Sequence, residues 1–524
     1  MYQLCSPRAL IGAALLCAAF YLAIVSHGRW LGRNRLLRLP PGPKPLPIVG
    51  NVHQVPAEYQ EKTFARWSKE YGNLIYATMF TRPILIINTQ KIARELLDKR
   101  GNRYSSRPRM VMLTELLGWD PDVITLPYNS EHRRKQRRWI QNAFGDKAAV
   151  RQFEKLQQRE TYILLSALIH EPHDFTKHTS RYITALIMDS VYGHKVTSSD
   201  DPYIHIIDRA MELTTAMGPS GGTTVDFFPI VKHFPTWLPG MSWKRKVLDA
   251  RTIITDAKLK PYYMARNAVV AGCAKPSIIS TLIEDAMKTG SLAEEEPDII
   301  SACAAMYAAG TDTVKTLLLT LLLAMVLHPD AYQKAQDEVD RVIGRDRLPT
   351  LADREALPYV ECVLKEVYRW NPPTPLSIPH YLTENDEYQG LDLPSDTWVI
   401  ANLWSMSHSE EVYGDPDVFR PERFSDQSRP LNAEIADPVN IVFGHGRRIC
   451  PGRLFADTAA FLAISNIIAT LDIKKARDLQ GREITPEARF VPGLVSHPRE
   501  FACSITPRSA KAVQLVADAV GSSS

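Results

Sequence analysis

Phe443-Gly444-His445-Gly446-Arg447-Arg448-Ile449-Cys450-Pro451-Gly452 is the stretch from which the rest of the chain can be read. Its cysteine stands between glycines and is followed at once by Pro-Gly. Gly446 and Gly452 leave room for a flat ligand to approach the sulfur, and they free backbone N–H groups to point at a thiolate. Such a thiolate is a soft metal ligand whose electron donation those N–H groups tune. Arg448, two residues before the sulfur, can pair with an anionic group at the ligand's edge. The plainer interpretation is a structural cysteine in a tight Gly-Pro turn, and the joint spacing of arginine, cysteine and glycines weighs against it.

The chain has 524 residues, enough for several domains or one large fold. It shows no internal repeat, no low-complexity block and no Gly/Ser linker in its interior. At 45% hydrophobic and 23% charged residues it has the composition of an ordinary globular protein with ample material for a core. A formal charge of +4 is too small to argue for nucleic acid. The seven cysteines (Cys5, Cys17, Cys273, Cys303, Cys362, Cys450 and Cys503) are odd in number and scattered. They suggest neither a disulfide framework nor a zinc site, and so a reducing compartment.

The N-terminus differs. Residues 9–25 (ALIGAALLCAAFYLAIV) carry no charge and approach the length a helix needs to cross a bilayer. Arg29, Arg33, Arg35 and Arg38 follow, against Arg8 alone before, which puts the main body on the cytosolic side. Residues 1–8 are then lumenal, 9–25 a transmembrane anchor, 26–51 a basic and proline-rich hinge, and 52–524 the main domain. The prolines at 40, 41, 43, 45 and 47 make the hinge stiff and extended.

Five further stretches stand out. A long helix is predicted from Pro297 to His328, about 45 Å at about 1.5 Å per residue. Its centre, Ala308-Ala309-Gly310-Thr311-Asp312-Thr313, breaks an apolar run with a glycine and polar residues. Ala305, Ala309 and Thr313 share one face, where a plate-like ligand could approach. A helix from Leu357 carries Glu366-Val367-Tyr368-Arg369, an i,i+3 ion pair that is weak alone. Asn371-Pro372-Pro373-Thr374-Pro375-Leu376-Ser377-Ile378-Pro379-His380 must run extended. His132-Arg133-Arg134-Lys135-Gln136-Arg137-Arg138-Trp139 is the strongest basic patch, either a solvated helix face or an anion site. Residues 227–240, rich in Phe, Trp and Pro and followed by Lys244-Arg245-Lys246, read as a buried loop or a second membrane contact.

Together these stretches resemble the cytochrome P-450 family, whose signature Phe-x-x-Gly-x-Arg-x-Cys-x-Gly residues 443–452 match at each defining position. The resemblance runs from the prolines at 40 to about Pro507. It implies a mainly α-helical fold with a small β-rich lobe near the N-terminus, preceded by one transmembrane helix. It implies haem b, with Cys450 as the axial thiolate ligand of the iron and electron donation that favours O–O cleavage. Arg448, Arg137, His380, Phe443, Gly446, Gly452 and Ala309 would contact the cofactor. Asp312 and Thr313 would order a proton path. Glu366, Arg369 and Arg423 would form a buried cluster, and Ala305, Leu376, Ser377, Leu494 and Val495 would line the substrate cavity. Two positions depart from the family pattern. Val314 stands where many members have a second Thr or Ser. Arg133 stands where a propionate-binding tryptophan is expected, with His132 as the alternative if the register slips by one.

The implied activity is insertion of one oxygen atom from O2 into a lipophilic substrate, in secondary metabolism or detoxification, since residues 404–424 and 443–452 look most like fungal members. Only about seventy residues follow Cys450, too few for a flavin domain. Electrons are therefore expected from an NADPH-cytochrome P-450 reductase, with cytochrome b5 as a second donor. Membrane lipid is an expected partner and nucleic acid is not. The expected location is the endoplasmic reticulum membrane, single-pass, with the catalytic domain in the cytosol. A reductase-independent haem-thiolate isomerase or dehydratase and a non-catalytic haem-binding protein are the alternatives. The intact Asp312-Thr313 pair argues against both.

Overall fold

The computed structural model describes residues 37–216, 218, 222–425 and 437–523. The expected lumenal segment, the anchor and the start of the hinge lie outside the described residues. From Pro40 the proline-rich segment lies against the first hairpin. The Tyr76 amide donates to the Pro41 carbonyl at 3.1 Å, and the Asn51 side chain donates to Pro43 O at 3.0 Å while accepting from the Thr78 amide at 2.9 Å. A Cβ on Gly42 would sit 1.9 Å from the Tyr76 carbonyl oxygen, so glycine is what permits this approach. The stiff segment is thereby fixed to a sheet at its far end.

Twelve helices of ten residues or more occur among the described residues; these and the strands are numbered here in chain order. Helix α1 (Gln60–Tyr71) leads into β1 (Leu74–Met79) and β2 (Arg82–Ile87). Then come α2 (Glu131–Phe144), α3 (Glu154–His170), α4 (Phe175–Tyr192), α5 (Pro202–Ala216), α6 (Ser242–Val270) and α7 (Ile278–Thr289). Helix α8 (Leu292–Leu327) crosses the molecule, followed by α9 (Pro329–Val342) and α10 (Pro358–Trp370). Strands β3 (His380–Leu382), β4 (Asp386–Tyr388), β5 (Leu391–Leu393) and β6 (Thr397–Ala401) come next. The chain finishes with α11 (Arg453–Thr470), β7 (Leu471–Arg477), β8 (Glu483–Ile484), β9 (Cys503–Pro507) and α12 (Ala510–Ser523).

Helix α8 is apolar on most sides, which is the pattern of a helix enclosed by others. It packs against α4, α2, α11 and α10. Helices α8 and α11 are long and apolar enough to cross a membrane, yet 72% and 67% of their most apolar windows are buried inside the protein. The helix begins at Leu292, five residues before the expected start, with Pro297 inside it. Only the bond to the Ala293 carbonyl is forfeited so close to the N-terminus, and Glu294 and Glu295 sit favourably at the positive end of the helix dipole.

The four-stranded sheet has the order β1-β2-β6-β3, with β2 and β6 parallel and the other pairs antiparallel. Alternation sends Ile75, Ala77, Ile84 and Ile86 toward Phe64 and Trp398, and Leu74, Leu85 and Ile87 toward Leu96, Leu97 and Val399. Both faces are covered, so these strands read as continuous apolar runs. The expectation of a β-rich lobe near the N-terminus needs correcting: half of this sheet comes from residues 380–401, and a second sheet, β8-β7-β9, lies near the C-terminus.

Candidate functional site

The glycine-rich run folds into a closed loop. The Cys450 amide donates to Phe443 O at 2.8 Å and the Ile449 amide to Gly446 O at 3.1 Å. Cys450 faces a cavity of about 300 Å³ shared with α8, α2 and the segment after α10. Burial pushes its thiol pKa up, while the Gly452 N–H and the Arg137 and Arg453 cations pull the other way. Those opposing groups are what a thiolate needs. A Cβ on Gly452 would meet no protein atom within 4 Å, so the missing side chain leaves space for something other than protein. Gly446 is different. It has φ +57°, and a Cβ there would sit 2.1 Å from Leu97 O. It is absent from the described cavity lining, and the Leu97 backbone packs closely against it.

On α8, Ala305, Ala309, Gly310 and Thr313 line the same cavity. Ala309 is exposed in the middle of an otherwise buried helix, and that exposed surface belongs to the cavity. The Thr313 hydroxyl donates to Ala309 O at 2.9 Å. Asp312 does not line the cavity. Its carboxyl pKa is raised by burial and lies in the field of Lys315, His497 and Asp208, with Lys315 itself 3.3 Å from Asp208 on α5. The two residues of the expected proton path therefore face different sides of α8.

Cations gather around the cavity without a counter-charge. Arg107, Arg133, Arg137 and Arg448 line it beside His380, and no Asp or Glu does among the described lining residues. Burial, followed by repulsion from Arg133, lowers Arg107 to about 9; burial, followed by Arg107 and Arg133, lowers Arg448 to about 8. Burial also lowers Arg137 to about 10 and holds His380 well below its ordinary value. Arg448 spends its donors on the carbonyls of Ser105, Val123 and Leu126 at 2.6–3.0 Å. Arg107 donates to Ile124, Ile378 and Pro379. Arg133 stacks over Tyr128 at 4.6 Å, and Arg137 donates to Ile449 O at 2.6 Å. The buried Nε atoms of Arg133 and Arg137, Oγ of Ser105 and Nε2 of His445 have no partner among the described residues. Like charges held together with unspent donors fit a flat ligand carrying acidic groups at its rim. Arg107 was missed by sequence reasoning, because one arginine in a loop has no spacing to betray it. His132 lies 2.9 Å from buried Asp298, outside the cavity lining, so the alternative register is not the one adopted.

Behind the loop, Arg369 grips Glu366 with two bonds of 2.7 and 2.8 Å, and Arg423 reaches the same carboxylate at 3.0 Å. Glu366 and Arg369 have no solvent exposure, and Arg369 also donates to the carbonyls of Ser407, Pro416 and Val418. The cluster thus ties α10 to the irregular chain that leads to Cys450.

Of the expected substrate-lining residues, Ala305 and Ser377 line this cavity. Leu376 and Leu494 line a second cavity, which Ser377 also borders, and Val495 is buried and lines neither. The extended segment passes between two cavities, and its side chains divide between them. In residues 227–240, Phe227 stacks on Trp398 at 5.6 Å, whereas Ile230 and Trp237 are exposed beside exposed Phe228 and Phe234. Lys244 is spent on the carbonyls of Lys232 and Phe234.

A family model for cytochrome P-450 matches residues 40–503. The chain is 42% identical over 516 residues to cytochrome P-450 monooxygenase 136 of Postia placenta, covering 98% of this chain and 96% of that protein. It is 38% identical over 511 residues to cytochrome P-450 monooxygenase 176 of the same organism, covering 97% and 98%. It is also 38% identical over 478 residues to cytochrome P-450 monooxygenase claT of Ampulloclitocybe clavipes, covering 91% and 92%.

Proposed function

The chain belongs to the cytochrome P-450 family and is a haem-thiolate monooxygenase, and we propose that Cys450 is its axial ligand and that α8 supplies the proton path. One observation carries the reading: a single cavity joins the Cys450 thiol, the exposed Ala309 and Thr313 of α8, and a set of arginines without counter-carboxylates. Haem bound there supplies activation of dioxygen and oxidation of a C–H bond. Arg107, Arg133, Arg137 and Arg448, with His380, would hold its acidic groups, and Gly452 would leave room for its face. Phe443 also borders this space, in edge contact with Tyr368 at 5.4 Å.

The chain's own work is positioning and proton supply. Burial raises the Cys450 thiol pKa, and Gly452 N–H and Arg137 oppose that rise, so they would favour the thiolate once it is bound. Thr313 presents a hydroxyl inside the cavity, and Asp312, on the neighbouring face of α8, keeps its proton to higher pH than an ordinary aspartate because it is buried. We assign proton delivery to this pair, with a rearrangement of Asp312 or a water bridging the two faces. The apolar lining, including Ile124, Met306 and Ile378, suits a lipophilic substrate. Val314 lines the cavity at the second Thr/Ser position of the family and adds no hydroxyl.

Residues 9–25 are proposed as an anchor in the endoplasmic reticulum membrane. The exposed Phe228, Ile230, Phe234 and Trp237, beside exposed Leu46 and Val49, support a second contact with lipid. Residues 52–524 then form the catalytic domain, supplied with electrons by an NADPH-dependent reductase and cytochrome b5. The basic run of α2 would steer such a partner, and the substrate would belong to secondary metabolism or detoxification. The test is product formation from a C–H substrate by purified enzyme. Product should require NADPH, reductase and O2 together; product without reductase would contradict the reading.

A further inference from the structure

We infer that Asp122 is a positioning residue for the acidic edge of the cofactor: it folds residues 122–126 into the turn whose carbonyls set where Arg107 and Arg448 stand. The inference rests on the reading that these arginines hold the haem, and it names what holds the arginines. Three consecutive amides converge on Asp122. Its side-chain Oδ1 accepts from the Ile124 N–H at 2.8 Å, and its main-chain oxygen accepts from the Thr125 and Leu126 amides at 3.0 and 2.9 Å. With the amides turned toward Asp122, the carbonyls of the same short stretch are left to the cations. Ile124 O accepts from Arg107 Nε at 3.0 Å, Val123 O from Arg448 Nη1 at 3.0 Å and Leu126 O from Arg448 Nη2 at 2.6 Å. Ile124 is thus gripped by Asp122 through its N–H and grips Arg107 through its oxygen.

Asp122 is 6% exposed, and a carboxylate is a costly residue to bury. Burial raises its pKa to about 6, opposed by the Ile124 N–H and Lys258, so the group is ionised at neutral pH. In that form it is a stronger acceptor than a neutral oxygen. Lys258 of α6, also buried, holds the loop from its other end, donating to Gly118 O at 2.8 Å and to Asp120 O at 3.2 Å. Lys258, Asp120 and Arg448 are the charges that bear on Asp122. Arg107 and Arg448 repel each other, and fixed carbonyls are what keep two such cations side by side at the cavity. The loop therefore joins α6 to both arginines, with Asp122 at its bend.

The test uses haem-loaded full-length enzyme at neutral pH, and reads haem release to excess apomyoglobin together with the ferric–ferrous midpoint potential. Asp122→Ala should release haem about tenfold faster than native enzyme. It should also lower the potential, because the arginines then compensate the acidic groups less well. Asp122→Asn, which keeps an oxygen at the Ile124 N–H, should stay within about twofold of native release. Arg107→Leu should itself speed release about tenfold, and adding Asp122→Ala to it should give only about threefold more, the share carried by Arg448. If alanine yields no loaded enzyme, Asp122→Ser takes its place and should release haem about fivefold faster than native. The inference is overturned if Asp122→Ala, or serine in its stead, releases haem at the native rate or leaves the potential unmoved. It is also overturned if asparagine behaves as alanine does, or if the effects of Asp122→Ala and Arg107→Leu multiply in full. Native-rate release by Arg107→Leu would instead contradict the arginines' own role, and take the inference with it.

Discussion

At the scale of single residues, Thr313 and Arg133 make separable claims. Thr313 lines the cavity, and among the described residues its hydroxyl donates to Ala309 O. Thr313→Ala should therefore keep haem content and substrate affinity, while product per NADPH falls several-fold and peroxide rises. An unchanged ratio would remove Thr313 from the proton path. Arg133 replaces an aromatic donor by a cation with an unspent Nε. Arg133→Leu should release haem to excess apomyoglobin roughly tenfold faster, since a hydrogen bond to a charged group contributes about 1.5–3 kcal/mol; an unchanged rate would mean that Arg133 does not hold the cofactor. Residues in a fixed local spacing, such as Cys450, Arg448 and Gly452, were legible in the sequence. Arg107 was not, because its place at the cavity is set by tertiary contacts with Ile124, Ile378 and Pro379. The close approach of Gly446 to the backbone of Leu97, distant in sequence, was hidden for the same reason.

At the scale of elements, α10 and α8 set the frame. Glu366 accepts from Arg369, Arg423 and the Arg420 amide in a site closed to solvent. Glu366→Gln would leave two arginines short of their counter-charge, at a cost of about 3–5 kcal/mol. It should yield protein without haem and a lowered unfolding midpoint; normal haem incorporation would contradict the cluster's role. Helix α8 carries a pH signature. Burial raises the Asp312 pKa, so its proton is present at low pH and is lost as pH rises through a value above that of an ordinary aspartate. Product per NADPH should accordingly fall in native enzyme as pH rises through that value and become low and pH-insensitive in Asp312→Asn. A profile shared by both proteins would place the titrating group elsewhere. Periodicity located both helices, but not the start of α8, because a proline near a helix N-terminus costs one bond and need not mark its first residue. Sheet pairing between β2 and β6 could not be read at all, since more than three hundred residues separate Ile84 from its partner Trp398.

At the scale of the whole molecule, attachment and cofactor binding are the properties to test. Deleting residues 1–26 should remove most membrane association. Exposed Ile230 and Trp237, with exposed Arg245 and Lys246, should keep weak binding to anionic vesicles at low salt that is lost at high salt. Full solubility at all salt concentrations would reduce that segment to an ordinary loop. The composition announced a large apolar core but was silent on its division between two cavities, which arises where the segment after α10 threads between α8 and the four-stranded sheet. The central claim is that Cys450 presents a thiolate to haem iron inside this core. The ferrous–CO difference spectrum tests it most directly: native enzyme should show the long-wavelength band of thiolate-ligated haem and Cys450→Ala should lack it. A band that persists in Cys450→Ala, or that is absent from haem-loaded native enzyme, would contradict the account.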